Sequence, residues 1–200
     1  MPRWGLLTTL CVACAHPAAP LPPAEGLRPV AAFDAIAGRR ARSVALFDEV
    51  ARVLTHPRCA NCHPVDDRPR QGLDQVVHDP PVWRGPDDRG EAGAHCDACH
   101  QERNSEVSRV PGAPAWHLAP ASMGWIGQSN AAICAQLQDP ARNGGRTLAQ
   151  IQEHLAGDAL VAWGWAPGDD REPAPGSQAE LAALAAAWIE TGARCPEEAP

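Results

Sequence analysis

"VLTHPRCANCHP", residues 53–64, decides how the rest of the chain is read, and "CDACH" at residues 96–100 repeats its core. In each, two cysteines three apart are followed at once by a histidine. That spacing lets each thiol add to one vinyl group of a haem while the next imidazole turns onto the iron from the same side. Cys59 with Cys62 and Cys96 with Cys99 are therefore the expected thioether residues. His63 and His100 are the expected proximal ligands. Two other arrangements compete. A zinc site prefers cysteine pairs about 12 to 20 residues apart, and Cys62 and Cys96 are further apart than that. A pair of disulfides leaves the two histidines unexplained.

Upstream, "CVACAH" at residues 11–16 has the same look but is one residue out of register. It closes the apolar run from Trp4 to Ala13, preceded by Arg3, a run too short to span a bilayer and of the length of a signal-peptide core. Residues 1–14 thus read as an export signal of lipoprotein type with Cys14 as the lipidated residue; cleavage after Ala15 is the competing processing. Either way, Cys11 and Cys14 belong to processing and not to a haem. The expected location is the periplasm, with a lipid chain as the only membrane attachment. Residues 15–42, rich in proline and alanine, read as a semi-extended tether, and residues 43–196 as one folded domain.

The chain has 200 residues, 21 prolines, 17 glycines, seven tryptophans, no tyrosine and a formal charge of −7, which gives no basic footprint for nucleic acid. Helical periodicity predicts a helix from Ser43, as N-cap, through Phe47, Val50, Val53 and Leu54 to a stop before Pro57. Others are expected from Ser129 to Gln138, from Thr147 through Leu148, Ile151 and Leu155, and from Ser177 through Leu181, Leu184, Trp188 and Ile189 to Gly192. Residues 64–95 show neither helical nor strand period and read as a long loop needing something to fold around. The expected fold is mostly α: cytochrome c-like helices, the first and last packed together, with long irregular loops wrapping two c-type haems in one domain. Cys134 and Cys195 are the candidate disulfide, closing the final helix onto the one near Ser129.

The sixth ligands are open. Met123, the one methionine beyond Met1, follows His63 by 60 residues, the separation common in small single-haem cytochromes; it also suits a packing role between Trp116 and Trp125. His78 and His117 lie in irregular segments that could cover a haem face, His154 ranks lower, and His56 and His95 lie too near the motifs.

The stretches "VLTHPRCANCHP", "PPVWRG", "WHLAPASMGW", "DPARNGGRTL", "LVAWGWAPG", "REPAPGSQ" and "WIETGARCP" resemble the bacterial exported c-type cytochromes often labelled isoquinoline 1-oxidoreductase subunit. The resemblance covers about residues 43–196. It implies an electron carrier between a periplasmic dehydrogenase, such as a molybdenum hydroxylase, and a downstream acceptor, the hydroxylation itself belonging to another subunit. A small haem peroxidase and a haem-based redox or gas sensor are the alternatives from other classes.

Overall fold

The computed structural model describes Met1, residues 26–168 and residues 170–198. The expected signal segment, Cys14 and the start of the tether lie outside the described residues. Within them the protein is mostly helical: α1 (Arg39–Leu54), α2 (Pro57–Ala60), α3 (Asn130–Gln138), α4 (Leu148–Gly157), α5 (Ala159–Ala162) and α6 (Gln178–Glu190). None of these helices is long and apolar enough to cross a membrane.

The frame is the pair α1 and α6, with α4 against α6 and α3 against α1. Phe47, Val50, Val53 and Leu54 share one face of α1 at helical spacing, and all four are buried. Phe47 meets Trp188 of α6 with ring centres 5.0 Å apart. Ser177 caps α6 by accepting a hydrogen bond from the Glu180 amide, and Thr147 with Gln150 forms a complete capping box on α4. Cys134 in α3 is joined to Cys195 beyond α6, a cross-link over 61 residues of chain.

Two expectations at the amino-terminal side change. Helix α1 begins at Arg39, behind Gly38 in a left-handed conformation (φ 88°), so Ser43 is not its cap. Instead the Ser43 hydroxyl donates to the Trp188 carbonyl and accepts from the Arg194 amide, tying α1 to the end of α6. The folded body also starts earlier than residue 43. Leu27 and Phe33 are 7% and 0% exposed in the core, and Glu49, buried in α1, accepts from the Arg28 amide at 3.0 Å and the Arg28 guanidinium at 2.5 Å. Two apolar side chains in a proline-rich stretch make no periodic signal, yet they are enough to bind it to α1.

Between the motifs the chain is irregular, as expected, but carries two minimal antiparallel ladders. Strand β1 (Arg70–Gln71) pairs with β2 (Val76–Val77), and β3 (Gly90–Glu91) with β4 (Ala94–His95). Strands of two residues cannot show an alternating pattern. Arg84 holds this excursion to the rest. Its guanidinium donates to the carbonyls of Pro64, Asp66 and Ala119 and to the carboxylate of Asp88. At the next residue a Cβ would fall 2.0 Å from the Gly90 carbonyl oxygen, so only glycine fits at 85.

Candidate functional site

The first motif is set by one short helix. The His56 side chain caps α2 by accepting from the Arg58 amide at 3.2 Å, and Pro57 supplies the preset φ of a first helical turn. The turn places Cys59 and Cys62 together, the Cys62 amide donating to the Cys59 carbonyl and the His63 amide to that of Ala60. Both cysteines open into a cleft enclosing about 1000 Å³, its mouth included, with walls of Leu54, Leu137, Ile151, Leu155 and Leu181. Polar groups enter it at few points: His63, His117, His154, Asp158, Arg58 and Arg146.

His63 is held on two sides. Its Nδ1 lies 2.8 Å from the Met123 carbonyl, which can only accept, so Nδ1 carries the proton and Nε2 keeps a bare lone pair. Its ring lies flat on Trp125, centres 3.4 Å apart and planes within 6°. Trp125 is fixed in turn by its indole N–H to Gln136 at 2.6 Å, and the Gln136 amide donates back to the Ser122 carbonyl. Burial pushes the imidazole down to about 3, so it stays neutral, the form in which a histidine binds a metal. Burial also pushes the Cys59 thiol up to about 12 and Cys62 up to about 11. Cys62 is raised further by Cys96, so the two motifs lie close enough to interact.

The second motif repeats this support with different parts. A 3-10 turn over Cys96–Ala98 follows β4, and the amides of Cys99 and His100 both donate to the Cys96 carbonyl. His100 Nδ1 donates to the Pro111 carbonyl at 2.7 Å, again leaving Nε2 bare, and the ring stacks on Trp116 at 4.4 Å with planes within 1°. Trp116 meets Trp163 edge-on at 5.0 Å, and Trp163 is part of the wall of the first cleft. Burial lowers the His100 pKa. The close approach that delivers Pro111 needs Gly112, where a Cβ would come within 2.4 Å of the Gln101 and Arg103 carbonyl oxygens.

The predicted residues are therefore sorted. Cys59, Cys62 and His63 share one cleft with His117, while Cys96, Cys99 and His100 form an adjoining site with His78 beside His100. Met123 gives its backbone carbonyl to His63 Nδ1, while its side chain lines the same cleft as the ring and packs in the apolar cluster with Trp125 and Leu137. The carbonyl is the part of Met123 that acts on His63.

His154, a lower-placed candidate, also lines the first cleft, with its Nδ1 3.2 Å from the Asp158 carboxylate, three residues beyond Ile151 on α4. Arg58 was not anticipated: it is 8% exposed, its Nε donates to the Glu172 carbonyl at 2.6 Å, and its guanidinium lies over Trp163.

These residues fit covalent haem. The four motif cysteines are free thiols, whereas Cys134 and Cys195 are bridged. Each motif histidine has one nitrogen committed to a carbonyl and the other bare, and such a carbonyl orients an imidazole for binding a metal through its free nitrogen. Among the described residues no three or more His, Cys, Asp or Glu side chains converge as a tetrahedral zinc site needs; an iron in a macrocycle needs only one or two. Comparisons with known protein families, with curated proteins and with solved structures found no match to this chain.

Proposed function

We propose that the chain is an exported dihaem c-type cytochrome, anchored through lipid on Cys14, that carries single electrons from a periplasmic dehydrogenase to a downstream acceptor and is not itself an enzyme. The dehydrogenase class, a molybdenum hydroxylase of the isoquinoline oxidoreductase type, rests on the sequence resemblance. The observation that carries the reading is the paired support of His63 and His100: a carbonyl on Nδ1, an indole face on the ring, and two free cysteines immediately upstream.

Haem c supplies a one-electron iron couple whose potential follows axial ligand, hydrogen bonding and burial. The chain's part is to hold and tune it. Cys59, Cys62, Cys96 and Cys99 would anchor the macrocycles; the Met123 and Pro111 carbonyls fix the tautomer and would raise the basicity of the imidazoles. The apolar walls of the first cleft would keep water from the bound group, and Arg58 and Arg146 would place positive charge beside its carboxylates. His117 and His154 are the imidazoles in that cleft that would supply a sixth ligand, with the Met123 side chain read as packing because its carbonyl serves His63 Nδ1.

Intact mass and haem staining after denaturing electrophoresis should show two covalent haems. Cys59→Ala and Cys96→Ala should each lose one; a native mass with one haem or none refutes the proposal. A peroxidase reading has one feature in its favour, the His154–Asp158 pair and Arg146 in the cleft of His63. Rapid peroxide turnover by the purified protein would select it.

A further inference from the structure

His78 stands at the end of β2, where its amide donates to the Pro69 carbonyl at 3.0 Å and the amide of Asp79 donates to the Gln71 side chain at 3.2 Å. Its ring Nδ1 donates to the Pro80 carbonyl at 2.9 Å. A carbonyl can only accept, so the proton sits on Nδ1 and Nε2 is bare. His100 has the same state for the same reason, with Pro111 as acceptor. The two imidazoles are neighbours in an edge-on arrangement, ring centres 5.9 Å apart and planes crossed at 67°.

Two imidazoles joined through one metal have their centres about 6 Å apart, the sum of two metal–nitrogen bonds of about 2.0 Å and the distance from each nitrogen to its ring centre. Stacked or hydrogen-bonded imidazoles would instead lie closer or share a proton, and here both Nδ1 protons are already used. Of the other described histidines, His63, His117 and His154 lie in the first cleft, His56 caps α2, and His95 is an exposed residue of β4 with no ring contact to His78 or His100. We infer that His78 and His100 are the two axial ligands of one iron, that of the haem on Cys96 and Cys99. The excursion between the motifs is then the arm that delivers the sixth ligand, with the β1–β2 ladder and the Pro69 carbonyl setting its reach. This rests on the reading of the second motif as a haem site.

The test uses the full-length holoprotein. Native protein and His78→Ala should both weigh as two-haem species. The ferrous variant should take up one carbon monoxide per protein more than the native form, and added imidazole should restore the native spectrum. The spectral component altered should be the one missing from a Cys96→Ala/Cys99→Ala variant. His78→Met, which keeps a ligand in place, should remain closed to carbon monoxide and raise one reduction step while leaving the other unmoved. A His78→Ala protein with unchanged spectrum and no added carbon monoxide, or a change in the component that survives loss of the second motif, overturns the assignment. Fewer than two haems in the native mass is a different failure, that of the haem reading beneath it.

Discussion

Replacing Met123 with alanine separates two roles that the position could have. Its side chain is 8% exposed and belongs to the apolar cluster around Trp125 and Leu137, while its carbonyl holds His63. Truncating a buried methionine costs about 2 to 5 kcal/mol, more where a cavity persists. Met123 borders a cleft already open on one side, so the loss should fall low in that range, about 2 to 3 kcal/mol. The carbonyl remains, so His63 keeps its acceptor and its stack on Trp125. Denaturant unfolding of the holoprotein should therefore show a lower midpoint at unchanged slope. The oxidised spectrum should be the same as the native one, without the weak sulfur-to-iron band near the red edge of the visible in either, and carbon monoxide binding should not change. A sulfur-to-iron band in the native protein that vanishes in Met123→Ala, with an iron newly open to carbon monoxide, would refute the packing role and make Met123 a ligand.

Glu49 gives a pH signature. Burial alone would raise its carboxyl, but hydrogen bonds from the Arg28 amide, the Arg28 side chain and Arg52 outweigh it, and the net shift is downward. The stability it contributes is then full above the ordinary carboxylate range near 4.5 and is lost as pH falls through the depressed folded value. Glu49→Gln should cost about 2 kcal/mol at pH 7, less than a fully buried pair because both arginines reach water, and should flatten the acid limb of a stability profile measured from pH 7 to 3; a limb as steep as the native one would show that another carboxylate controls it. Labelled fatty acid should enter the mature protein and be absent from Cys14→Ser, whereas a soluble form beginning at His16 would show cleavage after Ala15.

Helices α3, α4 and α6 were legible because apolar side chains recur at helical spacing behind recognisable caps, and the body of α1 because its buried stripe has the same period. What escaped reading lacks a period. Leu27 and Phe33 bind a proline-rich stretch to α1 through two isolated contacts, and the ladders around β1 and β3 are too short to alternate. Ser43 looked like a cap because it precedes the apolar stripe; the turn before it is helical but polar, so periodicity begins later than the helix. For Met123 a count along the chain measures separation and says nothing of whether its carbonyl or its thioether reaches the imidazole. The stacks of His63 on Trp125 and His100 on Trp116 join residues 62 and 16 positions apart in segments without regular structure, and no local pattern encodes them.

The Arg84 clamp can be restated as polymer statistics. A free loop from His63 to Cys96 would leave the second motif wandering over a volume set by its full contour, at an entropic cost that each doubling of length raises by about 0.6 kcal/mol. Arg84 pins that loop between its two ladders, grasping Pro64 and Asp66 behind it, Asp88 ahead, and Ala119 from the segment that leads to Met123. Two short closures replace one long one. Each has a β-ladder of its own, so both are stiffened again from within. The path between the two CxxCH turns is in this way gathered at one side chain, and each turn stands at the end of a short closure rather than at the end of a coil.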